Sequence, residues 1–176
     1  MLSENQFLFL REAKLQLQHA LNAFDTFETL RKDDAEPILQ FKALDDFLHH
    51  CARANLIFWP VEECFKKRGE DLRALVKMDD ASPLKTRSLR NSLQHLDEHL
   101  EDWMSRPDSE VSRADLCIDM NTIINGKRVF GLRELDSAET TYIFLGEKFP
   151  LLPMVEAARK LCDVISALPR HALGQL

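Results

Sequence analysis

Arg90, Asn91, Gln94 and His95 fall within one six-residue run of the chain, and they carry the groups that phosphodiester chemistry needs. An arginine guanidinium can hold a phosphate through paired, charge-assisted hydrogen bonds while negative charge builds on its oxygens. A histidine titrates near neutrality, so it can take a proton from an attacking hydroxyl or give one to a departing oxygen. The amides of Asn91 and Gln94 can contact or orient a nucleic-acid backbone, and Arg87 supplies a second cation one turn earlier. Asn91, His95 and His99 also share one ridge at i, i+4 spacing.

These side chains need a helix to position them. Leu89, Leu93, Leu96, Leu100 and Trp103 recur at alternating four- and three-residue steps, which predicts one narrow apolar seam with a polar face opposite. Ser82 as N-cap and Pro83 at the first helical position mark the start. Pro107 stops the helix after about Ser105. Five residues of helix separate Arg90 from His95 by about 7.5 Å of rise and about 140° of rotation. One helix therefore focuses the pair poorly on a single phosphate, whereas two such helices related by a two-fold axis would bring both pairs into one cleft. The chemistry predicts a homodimer.

The run Arg90-Asn91-Ser92-Leu93-Gln94-His95 resembles the Arg-Asn-x-x-x-His motif of the HEPN superfamily. Its members are helical-bundle proteins, many of them metal-independent endoribonucleases, toxins or phage-defence effectors. The resemblance implies a phosphate role for Arg90, an acid/base role for His95 and a backbone-orienting role for Asn91, with Arg87 and Gln94 beside the substrate. It further implies RNA as substrate, no cofactor or metal, a homodimer, and an antitoxin or regulatory protein as a further partner. The block from Leu89 to Trp103, followed by a C-terminal hairpin and helix, also resembles a group of uncharacterised bacterial proteins.

Two other readings of the same residues stay open. Arg90 can pair with Asp97 or Glu101, and His95 can bond Glu98 or Asn91, leaving a non-catalytic interaction or scaffold face. Asp97, Glu98, Glu101 and Asp102 follow His95 closely and would repel an RNA backbone. A metal-binding bundle is the third reading, from His95, His99 and Glu98 or from Asp46 and His49. The Glu-x-x-His order of di-metal bundles is missing from these helices.

Composition bounds the rest. With 176 residues, 45% of them hydrophobic and only five glycines, the chain reads as one helix-rich domain. No secretory leader is expected, and the longest apolar run, Leu56 to Val61, is far too short to cross a membrane. Cys51, Cys64, Cys117 and Cys162 have no zinc-ligand spacing, so they read as reduced, mostly buried thiols of a cytoplasmic protein. The formal charge of −6 excludes a general nucleic-acid coat. It is uneven, however: residues 53 to 90 hold nine basic groups against six acids, +3, which leaves −9 elsewhere. A local phosphate site is thus compatible with an acidic protein. Gly-rich phosphate loops and G-x-S-x-G elbows are missing from the sequence.

The predicted fold is mainly α, an antiparallel bundle of four to five helices with a small antiparallel β-hairpin or meander before the C-terminal helix. Residues 1–106 form the helical part, 107–149 the β insertion and 150–168 the last helix. A capping box at Ser3 and Gln6 opens a helix running to Arg31, with Leu10, Ala13, Leu17, Ala20, Leu21, Phe24 and Phe27 inward. A second helix, about Ala35 to Phe58, buries Phe41, Leu44, Phe47, Leu48, Cys51 and Phe58. Pro60 to Arg68 forms a short piece ended by Gly69, its basic triplet Lys66-Lys67-Arg68 at a solvated helix terminus, and Glu70 to Met78 another. Leu116 to Ile124 and Arg128 to Leu135 flank Asn125-Gly126, a dipeptide suited to a hairpin turn. Thr140 to Leu145 supplies a third strand, and Pro153 opens a helix ended by Pro169.

Overall fold

A computed structural model describes residues 2–85, 95–105, 111–119, 123–124 and 127–169, and it is mainly helical with one small mixed sheet. Helix α1 (Glu4–Lys32) starts on the predicted capping box: Ser3 Oγ accepts from the Gln6 N–H at 3.2 Å, and Gln6 Oε1 from the Ser3 N–H at 2.9 Å. Its stripe of Leu10, Ala13, Leu17, Ala20, Phe24 and Phe27 is buried, with Leu21 partly so. At its end Asp34 turns to φ 50°. The Ala35 N–H then reaches back to the Leu30 carbonyl at 2.9 Å, closing a Schellman turn.

That turn feeds α2 (Pro37–Phe58), whose six expected apolar residues are all buried. Phe47 packs against Phe24 of α1 with ring centroids 5.5 Å apart. Helix α3 (Glu63–Leu75) corrects the expectation of two short pieces, because the chain stays helical through Gly69. This glycine is a point of close approach rather than a stop: a Cβ there would lie 2.6 Å from both the Phe58 carbonyl oxygen and the Pro60 ring. The basic triplet is consequently mid-helix. Lys66 pairs with Glu63 and Lys67 with Asp71, while the Arg68 guanidinium lies 4.2 Å from the Phe9 ring centroid.

Helix α4 (Leu96–Ser105) is the described part of the expected central helix. The predicted start at Pro83 is corrected: Pro83 and Leu84 form a turn in which Ser82 Oγ accepts from the Leu84 N–H at 3.3 Å. None of the residues of α4 is buried. The element expected to organise the bundle is therefore peripheral, and the core sits among α1, α2, the sheet and the last helix.

The sheet joins β1 (Val111–Ile118), β2 (Ile123–Ile124), β3 (Lys127–Asp136), β4 (Thr141–Phe144) and β5 (Glu147–Pro150). Its main path runs β1-β3-β4-β5, with β1 parallel to β3 and β3, β4 and β5 antiparallel in turn. The expected pairing of Leu116–Ile124 with Arg128–Leu135 as hairpin arms is thus corrected. Leu116 to Ile118 run parallel to β3, and Ile123 and Ile124 alone turn back on it. Arg128 faces Val111 on one side and Ile123 on the other, so β2 takes the opposite edge of β3 from β1. The turn residues Asn125 and Gly126 lie outside the described residues.

Strand β5 escaped the sequence reading. It is joined to β4 by Leu145 and Gly146, at φ 54° and 87°, the two positive values of a two-residue hairpin turn. Buried Tyr142 of β4 meets Phe41 of α2, with ring centroids 6.0 Å apart. Helix α5 (Leu151–Ala167) then returns along α1, burying Leu151, Met154, Val155, Ala158, Leu161 and Cys162.

Candidate functional site

The chain is pinned at several points just before it enters the Arg90 segment. Trp59 Nε1 donates to Asp80 Oδ1 at 2.9 Å, and the same oxygen faces Lys85 Nζ at 3.2 Å and Arg73 Nε at 3.7 Å. The Trp59 hydrogen bond first, then Lys85, holds the Asp80 carboxyl below the usual carboxylate range. Asn55, buried in α2, donates Nδ2 to the Leu84 carbonyl at 2.8 Å, and Leu84 itself is buried. A buried amide is tolerated only when it is bonded in this way. The contact fixes the turn against α2.

Beyond this platform, Arg87, Arg90, Asn91 and Gln94 lie outside the described residues, and so does the expected Arg90–His95 geometry. His95 is described and exposed. Its carbonyl accepts the His99 N–H at 3.0 Å, forming the first turn of α4, and its Nδ1 lies 3.6 Å from Glu98 Oε1. That separation suits an ion pair when the ring is protonated and is too long for a good hydrogen bond. Asp97, Glu98, Glu101 and Asp102 are exposed around it. The apolar seam is only partly covered, with Leu96 37% exposed and Leu100 and Trp103 half-buried, and Met104 beside it is 50% exposed.

No family model, curated protein or solved structure matches this chain. The site is accordingly read from its residues. Among the described residues, no three His, Cys, Asp or Glu side chains converge as metal ligands would. In the second pair considered for a metal, Asp46 is held by Lys42 at 2.6 Å, and His49 Nδ1 faces the Asp45 carbonyl at 3.0 Å.

Two polar clusters were missed in the sequence. Asp45 on α2 receives the Tyr142 hydroxyl at 2.6 Å on one oxygen and Arg133 Nε at 3.1 Å on the other, and Arg133 Nη1 reaches Asp115 at 3.4 Å. Burial, then the Asp45 charge, raises the Tyr142 hydroxyl above the usual tyrosine range. The available signal was a pair of aspartates, Asp45 and Asp46, between buried Leu44 and Phe47, of which Asp45 is the half-buried one.

The second cluster joins α1 to α2. Gln16 Nε2 donates to Glu12 at 2.6 Å, which turns its amide oxygen toward His50 Nδ1 at 2.8 Å. Nδ1 is therefore the protonated nitrogen of neutral His50. The His50 ring stacks on His19 with centroids 5.1 Å apart. Burial, then His19, lowers the pKa of His50 from its ordinary value. A histidine depressed in the folded state favours folding above its unfolded pKa of about 6.5 and loses that contribution as pH falls through the folded value. Melting temperature should therefore fall on acidification below about pH 6.5, and His50→Gln should flatten the decline. Calorimetry of the two proteins across that range checks it, and parallel curves would refute the assignment.

Proposed function

We propose that this protein is a HEPN-like endoribonuclease that cuts RNA without a metal, as a homodimer, with Arg90 and His95 from both copies in a shared cleft. The observation that supports the reading is the setting of His95, an exposed imidazole at the start of α4 that directly follows the Arg90–Gln94 run. The pinned turn at Leu84 gives that run a fixed point of departure.

In this mechanism a ribose 2′-oxygen attacks the adjacent phosphorus and the bond to the 5′-oxygen breaks. One His95 accepts the 2′-hydroxyl proton, and the partner's His95 donates a proton to the leaving 5′-oxygen. Arg90 holds the phosphoryl oxygens as charge accumulates, and Asn91, Arg87 and Gln94 contact the flanking backbone. The products are a 2′,3′-cyclic phosphate and a free 5′-hydroxyl.

A second reading is favoured by the surface of α4. Exposed Leu96 and Met104 beside four exposed acids suit a non-catalytic face that docks another protein, such as an antitoxin or regulator. One experiment separates the readings. Wild type and His95→Ala are incubated with mixed RNA in EDTA, and the ends are analysed. Cleavage by wild type alone, leaving cyclic phosphates, is the expected result. Equal inactivity of two folded dimers would replace the nuclease with the docking module, and cleavage lost in EDTA but restored by a divalent ion would overturn the metal-free mechanism.

A further inference from the structure

Among the described residues, a cavity lies between the first half of α1 and the end of α5, and His95 is not among its lining residues. It has a volume of about 690 Å³ and is partly open to solvent. Its walls include Phe7, Leu8, Leu15 and Ile165, and the floor is not a covered core, since Leu8 is 52% and Leu15 44% exposed. Three charged side chains line it: Arg11, Glu12 and Lys14. Glu12 is occupied by the Gln16 amide at 2.6 Å. Neither Arg11 nor Lys14 has an ion pair or side-chain hydrogen bond among the described residues. Among the described residues, the apolar trough is thus bordered by two cations without an ion pair and by one carboxylate held by an amide, a net positive lining.

We propose that this cavity binds a medium-chain fatty acid anion, its acyl chain along Leu8, Leu15 and Ile165 and its carboxylate between Arg11 and Lys14. The volume is within the range of about 300–1,000 Å³ usual for small-molecule sites, which combine apolar walls with a few placed polar groups. Burying the exposed leucines against the acyl chain supplies the hydrophobic term. The cations select the head group: a carboxylate satisfies both, an alcohol leaves their charge uncompensated, and an alkylammonium is repelled. The site is independent of RNA cleavage.

The probe is a dansyl-labelled undecanoic acid, whose fluorescence rises in apolar surroundings, displaced by laurate. Saturable binding to wild type is expected, with displacement by laurate and not by dodecylammonium. Arg11→Gln with Lys14→Gln should weaken binding about tenfold or more, and Leu15→Glu should abolish it. Circular dichroism verifies folding, and the Arg11/Lys14 variant leaves the buried apolar residues of α1 unchanged, so the test stands if Leu15→Glu fails to fold. Lack of saturable binding, equal displacement by dodecylammonium, or an unchanged double variant would each overturn the proposal. A dimer split by Leu15→Glu but indifferent to laurate would assign the groove to a second copy. Co-sedimentation with phosphatidylglycerol vesicles without free-acid binding would assign it to a membrane surface, and either result overturns the fatty-acid site.

Discussion

Asp45→Ala is expected to destabilise the protein by about 2–3 kcal/mol, because it strands a buried hydroxyl and a partly buried cation at once. The Tyr142 hydroxyl donates to Asp45 Oδ1 at 2.6 Å from a residue only 1% exposed. Without its acceptor the hydroxyl of this buried ring loses the hydrogen bond that Asp45 supplies. Among the described residues, the carboxylate left to Arg133 would be Asp115, 72% exposed and 3.4 Å away. The neighbouring Asp46→Ala is the internal control: its pair with Lys42 joins side chains 51% and 71% exposed, so its loss should cost less than about 1 kcal/mol. Urea unfolding of the two variants makes the comparison. Equal effects would show that the α2–sheet tether is only a surface ion pair.

The same cluster makes an alkaline prediction of definite sign. Tyr142 has a raised folded-state pKa, so its contribution is fully present below the unfolded value of about 10 and is lost as pH rises above it. Tyr142→Phe should remove that dependence while leaving Asp45 to Arg133.

Local signals in the sequence carried the helices well. The Ser3/Gln6 capping box and the apolar stripes of α1 and α2 depend on spacing within one element, and the structure realises each. Features set by distant parts of the chain were illegible. Gly69 looked like a helix stop, but what requires glycine is the Phe58 carbonyl and the Pro60 ring. The β1–β3 pairing is parallel, and alternation within a strand says nothing about its partner's direction. Of the expected Leu89–Trp103 seam, the described residues Leu96, Leu100 and Trp103 are only partly covered in α4. An apolar stripe shows that something must cover it and does not identify the cover. For the site, spacing marked His95 and Glu98 as neighbours, which the 3.6 Å separation matches. Asp45 with Arg133 and Tyr142 required the tertiary fold.

Arg90→Lys is the substitution expected to affect activity most for its size. Lysine keeps the positive charge but loses the planar fork that meets two phosphate oxygens together. If Arg90 clamps the scissile phosphate, cleavage should fall about 10²-fold or more, the scale set by losing one stabilising donor for transition-state charge, while melting temperature and dimer fraction barely change. If Arg90 instead forms an exposed pair with Asp97 or Glu101, lysine should replace it with a stability change below about 1 kcal/mol and undiminished activity. If it is buried at a dimer seam, Arg90→Ala should dissociate the dimer, because removing one member of a buried pair leaves its partner charge uncompensated. Both exposed acids are available for that pairing in α4, so folding alone does not discriminate. Measuring melting temperature, dimer fraction and RNA cleavage on the lysine and alanine variants does. An Arg90→Ala dimer that cuts RNA at the wild-type rate would remove Arg90 from the mechanism, and with it the reason for placing two copies of the motif in one cleft.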